Sequence, residues 1–259
     1  MNLFKFFFYR ILSHYNYEIN IKNQFKVAWP IQPDEIFINH FELIKTNTMV
    51  NTEGLVSLYD QVCYLEKKNI QGAFVECGTW KGGCAGLMAL GNMEFGSERR
   101  KIHLFDSFEG IPEPQEGVDG SLAIKQSEEW SDGGKSGGMR SLPGYYDNFG
   151  GVGTLSDNKK LMEEIVCYPA EYIKYQKGWF TDTIPKNKIE KISLLRIDAD
   201  WYASTKICLD YLAKLVVKNG FIIIDDYGAY DGCKKAVDEY FKGKHYFHRV
   251  NQDIMYVQI

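Results

Sequence analysis

Acidic side chains follow two apolar segments of strand length. Leu194–Ile197 leads into Asp198, and Phe221–Ile224 leads into Asp225 and Asp226. Burying an ionised carboxylate costs free energy unless it is paired or bound to a metal, so these acids belong at strand ends. The carboxyl ends of parallel strands meet at one edge of an open α/β sheet, where ligands bind. Three acids there favour a hard, oxygen-preferring cation such as Mg²⁺.

A capping role is the alternative explanation for acids at these positions. An Asp that follows a strand can accept hydrogen bonds from the first N–H groups of the next helix or turn. Asp200 could do this for a helix that the apolar spacing predicts from near Ser204 to Lys218, before a strand over 221–226.

A glycine-rich turn follows an earlier apolar segment, Gly72–Cys77. Gly78 permits a sharp turn and the close approach of a ligand, and Gly82 and Gly83 open a helix whose first N–H groups can receive a carboxylate. Trp80 replaces the middle glycine of the dinucleotide fingerprint G-x-G-x-x-G, which disfavours a nicotinamide cofactor. A glycine turn with a purely structural role would explain the same pattern.

Two further features indicate which cofactor the turn serves. Asp106 ends the next predicted strand, where an acid can accept hydrogen bonds from the two hydroxyls of a ribose or can cap the following turn. His245–Val250 and Asp253–Ile259 flank a very short connection and predict a terminal antiparallel hairpin. The turn, the acid and the hairpin together fit an S-adenosylmethionine methyltransferase better than a dehydrogenase.

The predicted elements alternate between strands and helices and end with two strands. We therefore predict an α/β fold with a doubly wound, mostly parallel seven-stranded sheet of the Rossmann-like, class I methyltransferase type, closed by an antiparallel hairpin. Residues 1–50 form an N-terminal extension, and residues 51–259 form the methyltransferase domain. An insert at about 113–158 is turn-rich and weakly periodic, which is typical of a lid or binding loop.

Six sequence blocks between about residues 70 and 240 resemble the macrocin O-methyltransferase family, in family order. The blocks are Glu76–Gly83, Phe105–Pro114, Gly178–Pro185, Leu195–Thr205, Ile224–Gly228 and Gly232–Asp238. The resemblance implies a Mg²⁺-dependent O-methyltransferase that uses S-adenosylmethionine. Members of this family methylate sugar hydroxyls on natural products such as macrolides and aminocoumarins.

The resemblance also implies site residues. The metal ligands would be Asp198, Asp225 and Asp226. The cofactor-binding residues would be Glu76, Gly78, Gly82, Gly83, Cys84, Asp106, Ser107, Trp179, Phe180, Thr181 and Asp198. Within that set, the residues of the glycine turn would hold the methionine part, Asp106 the ribose, and residues 179–181 would lie near the adenine.

The general base follows from the chemistry of methyl transfer. The reaction is an in-line displacement at a sulfonium methyl, so the protein must supply an aligned, deprotonated acceptor oxygen. We predict Asp198 as the catalytic residue that accepts the proton, with Asp200 as the second candidate. The five histidines lie outside the insert and the acidic motifs, which disfavours a histidine base.

Composition limits the partners and the compartment. The net charge of −4 disfavours a nucleic-acid binder, and six cysteines without CxxC spacing indicate reduced thiols in a cytoplasmic protein. The apolar segment Met1–Leu12 is too short to be a transmembrane segment, but it could lie on a membrane surface or pack on the domain or a second subunit. We predict packing, and a homodimer or higher homo-oligomer.

The acceptor is predicted only by class, as a small molecule or glycan. The leading hypothesis is a sugar or a glycosylated small molecule. A catechol-like phenol is the alternative within the same fold, since Trp201 and Tyr202 beside Asp200 could stack on either kind of ring. A non-catalytic cofactor-binding protein is the alternative from another class, and it is disfavoured because all three metal acids are present.

Overall fold

The structure is a computed structural model that describes residues 35–137 and 140–259. The chain divides into two compact units, Met1–His40 and Phe41–Ile259. The described part of the first unit lies in helix α1, Glu35–Ile44. The predicted packing of Met1–Leu12 therefore falls outside the described residues. Within the described ranges, every helix is too short or too polar to cross a membrane.

The second unit is built on a seven-stranded sheet with the order β3-β2-β1-β4-β5-β7-β6. Its strands are β1 (Ala73–Cys77), β2 (Ile102–Asp106), β3 (Ile173–Lys177), β4 (Ile192–Ile197), β5 (Val216–Ile224), β6 (His248–Arg249) and β7 (Met255–Gln258). The first five strands are parallel, whereas β7 is antiparallel to both β5 and β6. The sheet confirms the predicted fold class and its terminal hairpin.

Helices precede the first strand and alternate with the strands that follow. In the described part of the second unit they are α2 (Thr52–Lys67), α3 (Gly83–Phe95), α4 (Gly120–Trp130), α5 (Leu155–Lys159), α6 (Phe180–Thr183), α7 (Tyr202–Leu212) and α8 (Asp231–Phe241). Helix α2 packs on α3, and α7 packs on α8. Buried strand residues such as Val75 and Leu195 share one apolar core with Leu209 of α7 and Val237 of α8.

The helix predicted from near Ser204 to Lys218 is shorter than expected. Helix α7 ends at Leu212 and is followed by a short 3₁₀ turn. Strand β5 then begins at Val216, which pairs with Ile192 of β4. The sequence Asn219-Gly220 lies inside β5, near a register shift, rather than at a helix end. The prediction was wrong here because β-branched residues continue the apolar spacing of the helix into the strand.

Candidate active site

The register of the central strands brings charged residues together at the carboxyl edge of the sheet. Glu76 of β1 pairs with Arg196 of β4, so their side chains lie on the same face. Asp198 follows β4, and its N–H donates to the carbonyl of Cys77 at 2.9 Å. Asp225 follows β5 and continues the same ladder, with its N–H bonded to the last residue of β4 at 2.9 Å.

Arg196 connects three of the acids at this edge. Its Nη1 donates to Glu76 Oε1 and to Asp198 Oδ2, both at 2.9 Å, and its Nη2 donates to Asp225 Oδ1. The guanidinium is buried, with a side-chain exposure of 3%. Sequence reasoning gave Arg196 no role, although a lone cation in an apolar strand was a signal.

The cluster of acids that could hold a metal ion differs from the predicted ligand set in one residue. Carboxylate oxygens of Asp198, Asp200 and Asp226 all lie within 4.8 Å of one another. Asp200 is held there by a left-handed backbone (φ 55°), and its N–H donates to Asp226 Oδ2 at 3.1 Å. Asp225, which the sequence placed in the set, is instead paired with Arg196. The structure thus brings together two of the three predicted acids, with Asp200 as the third.

These acids line a cavity of about 250 Å³ that we call the acidic pocket. Its charged lining residues are Glu76, Asp198, Asp200, Asp225, Asp226 and Arg196. One guanidinium therefore faces five carboxyl groups among the described residues of the lining. Such an excess of buried negative charge is unfavourable unless protons or cations compensate it.

The pKa values of the carboxyl groups reflect this excess. Burial raises the pKa of Glu76 to about 8 and that of Asp225 to about 7, while Arg196 partly offsets both shifts. Burial and then repulsion from neighbouring acids raise the pKa of Asp200 and of Asp226 well above its ordinary value. The acidic pocket consequently favours a bound cation.

The glycine turn packs tightly against its neighbours. Gly78 has φ +84°, and a Cβ built there would lie 1.8 Å from the carbonyl oxygen of Asp198. A Cβ on Gly82 would meet Asn158 Oδ1 at 2.7 Å. The N–H of Gly83 donates to the carbonyl of Asn47 at 3.0 Å, so in this structure that amide is used inside the protein.

Asp106 supports the glycine turn directly. Its carboxylate accepts the N–H groups of Thr79 at 2.7 Å, Trp80 at 3.2 Å and Phe108 at 2.7 Å. Burial raises the pKa of Asp106, and these hydrogen bonds partly offset the shift. The turn-capping role considered for this acid is therefore present in the structure. Next to it, Ser107 Oγ donates to the carbonyl of Gly110 at 2.7 Å.

A second cavity, which we call the larger pocket, adjoins the acidic pocket. Its volume is about 440 Å³, within the usual range for small-molecule sites. The predicted cofactor residues that line it are Gly78, Asp106, Ser107, Trp179, Phe180, Thr181 and Asp198. Glu76, Gly83 and Cys84 line the acidic pocket instead, and Gly82 lines neither. Trp80, Tyr146, Asp198 and Asp200 line both pockets, so the two cavities are contiguous.

The insert is fixed to the strand ends by a residue that sequence reasoning missed. Asp119, which is 2% exposed, accepts the N–H of Tyr202 at 2.7 Å and thereby caps α7. Asp200 therefore does not have the capping role that was its alternative explanation. Trp201 Nε1 donates to the carbonyl of Pro112 at 2.8 Å and adds a second attachment. The weak periodicity of the insert gave no signal for either contact.

The far end of the insert is attached to the glycine turn. Trp80 Nε1 donates to the carbonyl of Gly151 at 3.1 Å, and Lys81 Nζ donates to that of Gly150 at 2.7 Å. Asn158 Nδ2 donates to the carbonyl of Trp80 at 2.6 Å. The described part of the insert is thus anchored at both pockets rather than extending away from them.

Comparison with known proteins identifies the family of this chain. A family model described as Macrocin-O-methyltransferase matches residues 44–134 and 168–258. The chain belongs to this family. The resemblance of the six sequence blocks is confirmed, and the chain is an S-adenosylmethionine-dependent O-methyltransferase. Residues 135–167, which include the second half of the insert, lie outside the match.

Individual proteins are also similar to this chain. The chain is 30% identical over 199 residues to 8-demethyl-8-(2,3-dimethoxy-alpha-L-rhamnosyl)-tetracenomycin-C 4'-O-methyltransferase from Streptomyces olivaceus, covering 75% of this chain and 67% of the relative. It is 29% identical to demethyldecarbamoylnovobiocin O-methyltransferase from Streptomyces niveus, with coverages of 75% and 67%. The solved O-methyltransferase NovP shares the fold, with a TM-score of 0.68, 24% identity and coverage of 95% of this chain and 98% of NovP.

Proposed function

We propose that this methyltransferase transfers the methyl group of S-adenosylmethionine to a hydroxyl of a sugar or glycosylated small molecule, with the help of Mg²⁺. The observation that carries the proposal is the acidic pocket. Five carboxyl groups face one guanidinium there, directly beside a cavity of cofactor size. The sulfonium and ammonium groups of the cofactor and a divalent cation are positively charged, and they would compensate the carboxylates of this pocket.

The cofactor would lie in the larger pocket, with its methionine end in the acidic pocket. Among the described residues, Glu76 Oε2 is buried and has no hydrogen-bond partner. An ammonium group would supply that partner, and Gly78 lines the adjoining larger pocket. When bound, the cofactor supplies a methyl group on an excellent leaving group. We propose that Asp106 and Ser107 lie at the ribose, and residues 179–181 at the adenine.

The cation would be held by Asp198 and Asp226, which belong both to the predicted set and to the observed cluster. The third carboxylate is Asp200 by geometry or Asp225 by family resemblance. Asp225 Oδ1 already accepts a hydrogen bond from Arg196, so only its second oxygen would serve an ion. When bound, Mg²⁺ would lower the pKa of the acceptor hydroxyl and fix its position. Asp198 or Asp200 would accept the hydroxyl proton.

The acceptor class is inferred from the relatives. One of them carries a sugar in its name, a rhamnosyl-tetracenomycin, and a second is named for a decarbamoylnovobiocin derivative. We propose the same chemical class for this chain. A catechol-like phenol is the alternative acceptor that the assay must exclude, because the same metal site could bind its two adjacent hydroxyls.

A methyl-transfer assay on the purified full chain tests this function. Formation of S-adenosylhomocysteine is followed with a panel of methyl glycosides and phenols, with Mg²⁺ or with excess EDTA. We expect turnover on a glycoside with Mg²⁺, loss with EDTA, and recovery when Mg²⁺ is restored. Asp198→Asn should lose activity, whereas Asp210→Asn on the exposed side of α7 should keep it. Undiminished turnover in EDTA would contradict the role of the metal.

We also propose a cytoplasmic, homo-oligomeric enzyme. The six cysteines have no CxxC spacing, and the thiols of Cys77, Cys84, Cys208 and Cys233 are buried, which suits a reducing compartment. The oligomer proposal rests on the apolar sequence Met1–Leu12, which needs a surface to bury against. Light scattering of the full chain at micromolar concentration tests it, and a monomeric mass would contradict it.

A further inference from the structure

An aromatic cluster of the insert forms one wall of the acidic pocket. Its members are Trp130 at the end of α4, and Tyr145, Tyr146 and Phe149. Their rings pack edge to face, with centroid distances of 5.5 Å for Trp130–Tyr145, 5.1 Å for Trp130–Phe149 and 5.1 Å for Tyr145–Tyr146. We call these four residues the aromatic wall. It faces the same cavity as the acids at the strand ends.

A pair of phenol groups lies where the aromatic wall meets the acids. Tyr145 of the wall is 4% exposed, and it lines the acidic pocket together with Tyr230, Asp200 and Asp226. Tyr230 Oη donates to Gln126 Oε1 at 2.7 Å. The hydrogen of the Tyr230 hydroxyl is therefore used within the protein. Buried phenols beside carboxylates can recognise the hydroxyl groups of a ligand through hydrogen bonds.

Hydrogen bonds to neighbouring segments hold the wall in place. Leu142 N–H donates to the carbonyl of Ile111 at 2.8 Å, and Asp132 N–H donates to that of Pro143 at 2.9 Å. Trp80 Nε1 holds the stretch just after Phe149, at Gly151. A fixed surface of this kind can select a ligand by shape without the entropic cost of ordering a loop.

The aromatic wall and the acids complement two different parts of a pyranose ring. A sugar ring has a face of C–H groups that packs on aromatic rings, and hydroxyls at its edge that bind polar groups. The pocket of about 250 Å³ is smaller than the usual 300–1,000 Å³ of small-molecule sites.

We propose that the aromatic wall and Tyr230 form the acceptor subsite, which binds a pyranose ring of the acceptor. Tyr145 positions the sugar by binding the hydroxyl next to the one that is methylated. The inference rests on the proposed function, because it assumes that the acids beside the wall are the reaction centre. Tyr145, Tyr146 and Phe149 lie in residues 135–167, outside the family match, whereas Trp130 and Tyr230 lie within it.

The test measures acceptor binding without turnover. The full chain is saturated with S-adenosylhomocysteine and Mg²⁺, and methyl α-L-rhamnopyranoside is titrated by saturation-transfer NMR, with catechol as the planar comparison. We expect the pyranoside to bind. Tyr145→Phe should raise its Kd roughly 3–10-fold through the lost hydrogen bond. Phe149→Leu should raise it roughly tenfold through the lost ring.

Three controls separate this role from a structural one. Tyr246→Phe removes a phenol that is 79% exposed, and it should leave the pyranoside Kd unchanged. The Kd of S-adenosylhomocysteine, measured by calorimetry, should stay within twofold in both wall variants. If Phe149→Leu unfolds the insert, Trp130→Phe provides a milder change to the same wall.

Several results would overturn the subsite. They are an unchanged pyranoside Kd in Tyr145→Phe and Phe149→Leu, an equal loss of S-adenosylhomocysteine affinity, or a wild-type protein that binds catechol but not the pyranoside. Absence of methyl transfer or of any Mg²⁺ effect, with pyranoside binding as expected, would count against the proposed function alone.

Discussion

Glu76→Gln should stabilise the protein without its cofactor and weaken cofactor binding at the same time. Glu76 is 1% exposed, and Arg196 satisfies only one of its two carboxylate oxygens. Arg196 is itself shared with Asp198 and Asp225, so removing the charge of Glu76 leaves the guanidinium paired. Glutamine keeps the side-chain length and a carbonyl oxygen for the bond from Arg196.

The magnitude follows from the pKa of Glu76, which burial raises from 4.5 to about 8. At about 1.36 kcal/mol per pKa unit, this corresponds to about 5 kcal/mol between the two protonation states. Relaxation of the pocket lowers that upper limit, and we expect a gain in unfolding free energy of about 1–4 kcal/mol at pH 8.

The sign of the pH dependence is fixed by the direction of the shift. A carboxyl group whose folded pKa is raised contributes stability below its unfolded pKa and loses it as pH rises through the folded value. The wild-type protein should therefore lose stability from about pH 4.5 to about pH 8 through Glu76. The variant should lack this part of the slope, so the difference between the two proteins should grow with pH.

Urea unfolding of both proteins at several pH values measures this difference, without cofactor and metal. Calorimetry with S-adenosylmethionine should show roughly 10–100-fold weaker binding in the variant, because a charge-assisted hydrogen bond to the ammonium is lost. Glu94→Gln, at an exposed position of α3, is the matched control and should change neither quantity. Parallel pH–stability curves for wild type and Glu76→Gln would refute the reasoning, as would unchanged cofactor affinity.

Four further substitutions test other parts of the site. Gly78→Ala should lower the unfolding free energy by about 2–4 kcal/mol in urea titrations, since its Cβ would lie 1.8 Å from the Asp198 carbonyl at φ +84°. Asp106→Ala should leave three backbone N–H groups unpaired. It should lower both stability and S-adenosylmethionine affinity by about 1–3 kcal/mol, and unchanged affinity in calorimetry would remove the ribose assignment. Asp200→Asn should weaken Mg²⁺ binding by roughly tenfold or more in calorimetric titrations, and Asp225→Asn by less than threefold, if the observed cluster holds the ion. The reverse order would favour the set with Asp225.

The positions of the acids were predictable because a simple physical rule places them. An apolar run that ends in a carboxylate marks the carboxyl end of a buried strand, and parallel pairing brings such ends to one edge. Asp198 and Asp226 follow this rule and lie in the observed cluster. The fold was predictable for the same reason, since alternating strands and helices leave few topologies.

The detailed pairing of those acids could not be predicted from their spacing. The choice between Asp200 and Asp225 depends on Arg196, whose Nη2 takes up one oxygen of Asp225. It also depends on the left-handed backbone of Asp200, which brings its carboxylate toward Asp226. Neither a side-chain direction nor a positive φ at a non-glycine residue has a local sequence signature here.

The insert was predicted as an irregular segment, yet it contains α4 and supplies a buried cap. Helix α4 has few buried residues, Ala123 and Ser127, so its apolar periodicity is weak. Asp119 is recognisable as a cap only once α7 has been placed beside it. Long-range contacts of this kind determine the conformation of the insert, and local propensity does not encode them.

The attachment of the insert to the glycine turn has a consequence for engineering new acceptor preferences. A Cβ on Gly153 would lie 2.0 Å from the backbone of Trp80, and Asn158 binds the carbonyl of the same residue. Residues 135–167 are thus not an independent cassette, although they lie outside the family match. A chimera that receives this segment from a relative should keep its affinity for S-adenosylhomocysteine only if the donor segment retains the equivalents of Gly153 and Asn158. Grafts that change these two positions should shift the glycine turn. Such a chimera would gain a new acceptor loop but would bind the methyl donor more weakly.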